Sequence, residues 1–248
     1  MTSAAMPRAV IVLLGVMAAS LAALLLVSPV PQDQGYHQFA DQRSLLGIPN
    51  FWNVVSNLPF IAIGAAGLWR HRDDPATVVL FAGIFLTGFG SSYYHWDPSD
   101  STLFWDRLPM TLGFVAILCG AIAERIDATA GRVMLWPLLV LGVFSLLLWR
   151  WTDDLRLYAW VQFFPCLALP VLFLLFAPKF TGTFYWIVAA ALYALAKLLE
   201  HYDGAIYSAG HIVSGHTLKH LAAGAACYAI LKYFDARRPV AAPAIVGA

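Results

Sequence analysis

Two histidines four residues apart, His216 and His220, are the feature of this sequence that most clearly suggests chemistry. On a helix this spacing projects both imidazoles from one face, one turn apart, which suits two ligands of a single metal ion. His95, in a separate apolar stretch, offers a third imidazole. Three histidines with a fourth position left for water are typical of catalytic zinc sites. The sequence therefore predicts that His95, His216 and His220 bind Zn²⁺.

Two further polar residues lie close to His95 in the sequence. Asp106 follows it by eleven residues across a short polar turn, so its carboxylate can return to the same depth and transfer protons between water and a leaving group. Ser91 precedes His95 by one helical turn, where its hydroxyl can donate to a developing oxyanion. The alternatives are structural. His95 and Asp106 would then join two helices, and Ser91 would be a small packing residue beside Gly88 and Gly90.

The composition indicates where such a site would be placed. The 248 residues are 60% hydrophobic and only 12% charged, whereas soluble domains contain about 25% charged residues. The net charge of +1 provides no field that would attract nucleic acid. The three cysteines each lie in an apolar run without a CxxC pair, so they are interpreted as small core residues. A membrane protein is the expectation.

The apolar residues group into eight stretches, each near the roughly 20 residues that a membrane helix needs. These stretches are residues 9–28, 51–69, 76–95, 104–126, 133–151, 157–177, 183–202 and 214–234. Alternating segments typical of a barrel are not apparent, so the prediction is an all-α integral membrane protein. The first stretch also resembles a signal peptide, but its length favours a retained helix.

The basic residues near the helix ends predict the orientation. Nine of them lie on the side of the N-terminus and three on the opposite side, which places both termini in the cytoplasm. The candidate site then faces the periplasm or an organelle lumen. Other polar residues gather on that same side, among them Glu200 and Asp203, which are candidates for orienting an imidazole. Lys197 is three residues before Glu200 and is expected to form an ion pair with it.

Four short motifs resemble those of the alkaline ceramidases, which belong to a superfamily that also includes the adiponectin and progestin receptors. In order they are residues 51–57 (FWNVVSN), 90–95 (GSSYYH), 106–110 (DRLPM) and 216–220 (HTLKH). The resemblance covers residues 39–234, that is, the last seven apolar stretches. It implies a seven-transmembrane-helix bundle, to which the first stretch is an additional N-terminal hydrophobic helix.

The resemblance also implies an organisation and an activity. Residues 1–38 would form the extra helix and a loop, and residues 39–234 the catalytic domain. The Pro and Ala content of residues 235–248 predicts a short disordered tail, which the basic residues place in the cytoplasm. His95, His216 and His220 match the family's zinc ligands, and Asp106 and Ser91 match the polar residues beside them. The implied reaction is hydrolysis of the amide of ceramide, a lipid of the bilayer, to a sphingoid base and a fatty acid.

One departure from the family concerns calcium. Eukaryotic members bind this ion through an acid-rich loop, whereas residues 39–43 here offer one carboxylate, Asp41, and Asn50 stands where an acidic residue is usual. Calcium prefers six to eight oxygen ligands. The loop therefore favours zinc alone, and calcium is the weaker alternative. The segments 197–203 and 214–215 are not associated with ceramide specificity and are consistent with another lipid substrate.

Other classes of function remain open from the residues alone. The same histidines would serve a structural zinc in a seven-helix lipid receptor or sensor. A retinal-binding pump is suggested by the helix count and by Lys197 and Lys219, but Lys219 lies at the start of its helix and Lys197 has a partner. A channel is disfavoured because the polar groups occupy one end only. The oligomeric state is not predicted.

Overall fold

The computed structural model describes residues 5–240, which form ten α-helices and one short 3₁₀ helix, Gln34–His37. The helices are α1 (Ala5–Leu26), α2 (Phe51–Val55), α3 (Leu58–Arg70), α4 (Pro75–Trp96), α5 (Asp100–Arg125), α6 (Ala128–Thr152), α7 (Arg156–Leu175), α8 (Thr183–His201), α9 (Asp203–Ser208) and α10 (Gly215–Ala236). Within these residues the only β-type pairings are two isolated bridges.

Seven segments of the described chain are long and apolar enough to cross a membrane, which confirms the prediction of an all-α integral membrane bundle. They are α1, the combined α2–α3 segment Phe51–Arg70, and α4 to α8. The eighth predicted stretch forms α10, a helix of 22 residues. It is more polar because it carries both candidate histidines together with charged residues. It packs along α8 and contacts α3.

Helix α1 lies at the edge of the bundle, as expected for an additional helix. Its packing partner is α7, and Trp160 of α7 donates a hydrogen bond from Nε1 to the Ser20 hydroxyl at 3.0 Å. Most of its apolar side chains face outward; Ile11 is 66% and Leu25 is 71% exposed. An apolar surface of this kind is stable against lipid but not against water.

Several helices begin earlier than the apolar stretches indicated, because their first turns are polar. Helix α5 begins at Asp100, four residues before the predicted start, where Ser99 and Thr102 form a reciprocal capping box. Helix α6 begins at Ala128, five residues before its predicted start, because the Asp127 carboxylate accepts from the Ala130 N–H.

The second predicted helix is interrupted after Val55. Pro59 lies in the first turn of α3 and has no N–H with which to bond the carbonyl of Val55, so a continuous helix would lose that hydrogen bond. The interruption places Ser56 and Asn57, both buried, between α2 and α3. The polar residues between the end of α2 and the start of α3 therefore lie inside the bundle.

Glycines allow the helices that carry the candidate residues to approach closely. A Cβ added to Gly90 of α4 would lie 2.1 Å from the Trp105 carbonyl oxygen of α5, so the two backbones touch there. A Cβ on Gly215, at the start of α10, would lie 2.2 Å from the Leu199 carbonyl oxygen of α8. These contacts place the end of α4 against the start of α5, and the end of α8 against the start of α10.

The beginning of the predicted tail is not free of contacts. Helix α10 continues to Ala236, and the next residues pair with the α7–α8 connection. Thr181 N–H donates to the Arg238 carbonyl at 2.8 Å, and Val240 N–H donates to that of Lys179 at 2.9 Å. The expectation of an unstructured tail is therefore wrong for residues 237–240. Residues 241–248 and residues 1–4 lie outside the described part of the chain.

The α4–α5 contact predicts the effect of one methyl group. We expect Gly90→Ala to lower stability by about 1–3 kcal/mol, because its Cβ meets backbone that cannot move without separating the helices. Gly120→Ala in α5 is the control, because no atom lies within 4 Å of its added Cβ. Better helix propensity should make that change neutral or stabilising by up to about 1 kcal/mol. Thermal unfolding in detergent measures both, and equal midpoints would contradict the close contact.

Candidate metal centre

The three histidines predicted to share an ion meet at one point inside the bundle. The Nε2 atom of His95 lies 3.3 Å from Nε2 of His220 and 3.3 Å from Nε2 of His216. One ligand atom from each residue lies within 4.8 Å of the other two. All three side chains are buried, with 1% to 5% of each residue exposed. Among the described residues this is the one such group of three or more metal-binding side chains.

The spacing of these nitrogens suits a tetrahedral ion. Two ligands at the usual Zn–N distance of about 2.0–2.1 Å, separated by the tetrahedral angle, have their nitrogens about 3.3–3.4 Å apart. The distances from Nε2 of His95 to the other two nitrogens, both 3.3 Å, match that value. Hydrogen bonds explain the arrangement less well, because Nε2 of His95 has one hydrogen or one lone pair and faces two partners. The residues present fit a zinc ion held by three imidazoles.

Helix α10 is fixed at the depth of His95 by contacts at its first turn. The Ser214 side chain caps the helix by accepting from the Thr217 N–H at 3.1 Å. The Asp203 carboxylate accepts from the backbone N–H of His216 at 2.7 Å, and its other oxygen accepts from the Ala40 N–H at 3.0 Å. Asp203 therefore positions the backbone of His216, whereas the sequence suggested a contact with an imidazole.

Ser56 orients the ring of His220. Its hydroxyl donates to the Asn53 carbonyl at 3.1 Å and lies 2.8 Å from Nδ1 of His220. Because the serine proton is used for Asn53, Nδ1 of His220 donates to the serine oxygen. This arrangement leaves Nε2 without a proton and available to a metal. Ser56 lies within the motif of residues 51–57, but no local pattern marks its role, because His220 is 164 residues away in the sequence.

Asp106 and Ser91 are brought together beside this cluster. The close contact at Gly90 places Asp106 against α4, since its Cα would lie 3.3 Å from a Cβ on Gly90, the residue before Ser91; Ser91 is one turn from His95 on α4. Ser91 is 3% exposed and Asp106 is half-buried. Asp106 is not part of the three-ligand group. The pair therefore supplies a carboxylate and a hydroxyl near the cluster.

Phe39 covers the histidines from the segment that precedes α2. Its ring centroid lies 4.6 Å from that of His95 and 4.7 Å from that of His216, and the residue is 5% exposed. A ring in this position excludes water and lowers the local dielectric, which strengthens electrostatic interactions. Nothing in the local sequence pattern marks Phe39, because its partners come from α4 and α10.

In the loop of residues 39–43, where calcium was the weaker alternative, the Arg43 side chain occupies the only carboxylate. The Arg43 guanidinium donates two hydrogen bonds to the Asp41 carboxylate, at 2.8 and 2.6 Å, and a third to the Ile212 carbonyl at 2.8 Å. Burial tends to raise the pKa of Asp41, but the hydrogen bonds and charge of Arg43 outweigh it and hold that pKa below its usual range. The Asn50 amide donates to the His95 carbonyl at 2.9 Å instead of facing an ion.

Two other predictions concern charged side chains near the centre. The predicted ion pair between Lys197 and Glu200 is present, and Lys219 of α10 adds a second pair with Glu200 at 2.6 Å. Lys219 therefore has a carboxylate partner inside the bundle, on the side of its helix that faces α8. Glu200 contacts lysines and does not reach an imidazole.

The fold and this centre define an integral membrane protein with a buried group of three histidines at one end of a helical bundle. The sequence model of a protein family described as Ceramidase matches residues 46–179, more than half of the chain. The chain belongs to the ceramidase family. Membership supports a hydrolase that acts on the amide bond of ceramide. A comparison with curated proteins finds no match.

The matched region contains only part of the candidate centre. His95, Ser91 and Asp106 lie within residues 46–179, whereas His216 and His220 follow in α10. The folded chain brings the two parts together, because α10 packs against α3 and α8 and its first turn faces the end of α4.

The Ser56 contact leads to a prediction about metal affinity. We expect Ser56→Ala to weaken binding of zinc by about 10- to 100-fold, because the proton on Nδ1 of His220 loses its acceptor. Ser145→Ala is a matched control: Ser145 is also fully buried, but it donates to the Gly142 carbonyl within α6. Titration with a fluorescent zinc chelator measures both affinities. Equal affinity in the two variants would exclude a role for Ser56 at the metal.

Proposed function

We propose that this protein is a zinc-dependent intramembrane lipid hydrolase of the alkaline ceramidase type. It cleaves the amide of ceramide, or of a related N-acyl lipid, to a sphingoid base and a fatty acid. One observation carries the proposal: in a chain of the ceramidase family, three buried imidazoles meet, with Nε2 of His95 3.3 Å from a nitrogen of each of the other two, one helical turn from a serine. We assign catalysis to residues 39–234 and treat α1 as an addition.

The residues have distinct roles in this reaction. His95, His216 and His220 would hold the zinc, which supplies a Lewis acid and lowers the pKa of a bound water. The Asp106 carboxylate takes a proton from the attacking water and delivers it to the amide nitrogen as the C–N bond breaks. The Ser91 hydroxyl donates to the carbonyl oxygen while negative charge develops there. The water oxygen ends in the fatty acid, and the sphingoid amine leaves.

The proposed route for the lipid lies at the side of the bundle, between α8 and its neighbours α5 and α7. Helix α8 packs closely on α10 but meets α5 and α7 mainly through long side chains. Examples are Tyr193 with Phe114, whose ring centroids are 5.7 Å apart, and Lys197, whose Nζ lies 6.0 Å from the centroid of Phe163. We propose that acyl chains enter along this seam. The distribution of basic residues supports cytoplasmic termini and a site in the periplasmic or lumenal leaflet.

Removal of one ligand tests the assignment. We expect about one zinc per purified wild-type chain, and loss of both zinc and ceramide cleavage in His216→Ala, because two imidazoles do not complete the site. His201→Ala is the control, since His201 is exposed at the end of α8. Metal analysis and product analysis on a ceramide panel measure the two properties. Equal zinc content in wild type and His216→Ala would refute the ligand set, and zinc without cleavage in the wild type would favour a receptor or sensor.

The role of Asp106 is separable from metal binding. We expect Asp106→Asn to retain zinc and to lower the turnover number by about 10²- to 10⁴-fold, the usual contribution of a general acid–base group. Asp97→Asn is the matched control, because Asp97 is exposed just beyond α4. Metal content and initial cleavage rates are compared in the same preparations. Wild-type turnover in Asp106→Asn would remove it from the mechanism, and loss of zinc would make it a structural residue.

A further inference from the structure

Arg107 is a buried cation that the proposed mechanism does not use. It follows Asp106 on α5 and is 8% exposed. Three aromatic rings surround its guanidinium: the central carbon lies 4.5 Å from the ring centroid of Trp149, 4.8 Å from that of Tyr158 and 5.7 Å from that of Tyr36. We call Arg107 with these three rings the arginine box.

The guanidinium lacks a matching acceptor. Its Nη1 atom is buried without a hydrogen-bond partner, and Arg107 is in none of the ion pairs formed by the described residues. Neighbouring residues on a helix do not face each other, so Asp106 does not serve it directly. Aromatic faces attract the cation but do not replace a carboxylate or carbonyl acceptor. A buried N–H without an acceptor is destabilising, which favours a ligand that supplies one.

Glu200, an acid close to the arginine box, does not neutralise the Arg107 guanidinium because it has other partners. Glu200 already pairs with Lys197 and Lys219 and also accepts a long hydrogen bond from the Tyr36 hydroxyl, at 3.4 Å. One carboxylate therefore serves two lysines on the side of Tyr36 that faces α8. Glu200 is therefore not free to pair with Arg107.

One wall of the arginine box is suited to admit a ligand. Tyr36 belongs to the short 3₁₀ helix outside the transmembrane segments and is 37% exposed. Its hydroxyl makes one long contact, of 3.4 Å with Glu200; its backbone is held by its N–H, which donates to the Asp33 carbonyl at 3.1 Å, and by Tyr94, which donates to its carbonyl at 3.4 Å. The ring of Tyr94, which stacks on Tyr36, lies 4.9 Å from that of His95. The box is thus one aromatic ring away from the metal centre.

We infer that the arginine box binds an anionic oxygen group on the lipid headgroup, such as a phosphate, sulfonate or carboxylate. The planar guanidinium presents parallel N–H donors that match the geometry of these groups. This inference rests on the proposed hydrolase function and specifies its substrate class: an N-acyl lipid with an anionic headgroup is preferred over neutral ceramide. The carboxylate of the released fatty acid has the same chemistry, and the experiment separates the two.

The first arm of the experiment compares substrates. Wild type, Arg107→Gln and Arg150→Gln are assayed on N-dodecanoyl sphingosine and on its 1-phosphate. We expect kcat/KM to favour the phosphate by about 10- to 100-fold in the wild type, the range for a hydrogen bond to a charged group. Arg107→Gln should lose this ratio. Arg150→Gln should keep it, because Arg150 is exposed although its guanidinium carbon lies 5.8 Å from the same Trp149 ring.

The second arm measures binding without turnover. Dodecyl phosphate, dodecanol and laurate are added to each protein in neutral detergent, and the thermal unfolding midpoint is recorded. We expect dodecyl phosphate, but not dodecanol, to stabilise wild type and Arg150→Gln and to leave Arg107→Gln unchanged. Arg107→Lys keeps the positive charge but loses the parallel N–H donors of the guanidinium, so dodecyl phosphate should raise its unfolding midpoint by less. This variant also serves if Arg107→Gln does not fold.

The outcomes separate the two claims. Cleavage of both substrates at equal rates, with no stabilisation that depends on Arg107, overturns the arginine box and leaves the hydrolase intact. Failure to cleave either substrate overturns the proposed function, whereas the binding arm still decides whether the box recognises an oxyanion. Stabilisation by laurate alone, without a preference for the phosphate substrate, overturns the headgroup assignment and places the product carboxylate in the box.

Discussion

The rest of the structure depends on three imidazole nitrogens that meet in the interior of a membrane bundle. Buried polar groups in a low dielectric require partners, and Nε2 of His95 faces two other nitrogens at 3.3 Å. A cation held by all three imidazoles would resolve that arrangement. The meeting of these side chains requires α4 to end and α10 to begin at one depth. Gly90 and Gly215 provide for this, since each lies where a side chain would push a neighbouring backbone away.

The parts of this centre that follow from helical periodicity could be predicted from the sequence. His216 and His220 share a face because they are four residues apart, and Ser91 lies one turn from His95 for the same reason. The parts that depend on distant segments could not. Ser56 contacts His220 across 164 residues, and Phe39 reaches His95 from a loop without regular structure. No local pattern contains such contacts, because tertiary packing determines them.

The same distinction explains the helix boundaries and the charges. Apolar stretches locate the membrane-spanning part of each helix, but capping residues such as Ser99 and Asp127 extend it into polar sequence. The Lys197–Glu200 pair was predictable from its spacing of three, whereas the second partner, Lys219, comes from another helix. Asp203 was correctly expected beside the centre. Its carboxylate accepts from the backbone N–H of His216, and the residue types alone do not predict whether a carboxylate contacts a backbone N–H or an imidazole.

The segment before α2 connects these observations. Phe39 covers two of the histidines, the Ala40 N–H binds the carboxylate that positions α10, and Tyr36 completes the arginine box. Arg43 and Asp41 fasten the following turn through the Ile212 carbonyl, where an acid-rich loop would need an ion. The Tyr36 side chain is held by one long hydrogen bond, so its ring can move at the arginine box while Phe39 stays over the three histidines. Entry of a lipid headgroup and exclusion of water from the histidines therefore do not conflict, because different residues of one segment serve them.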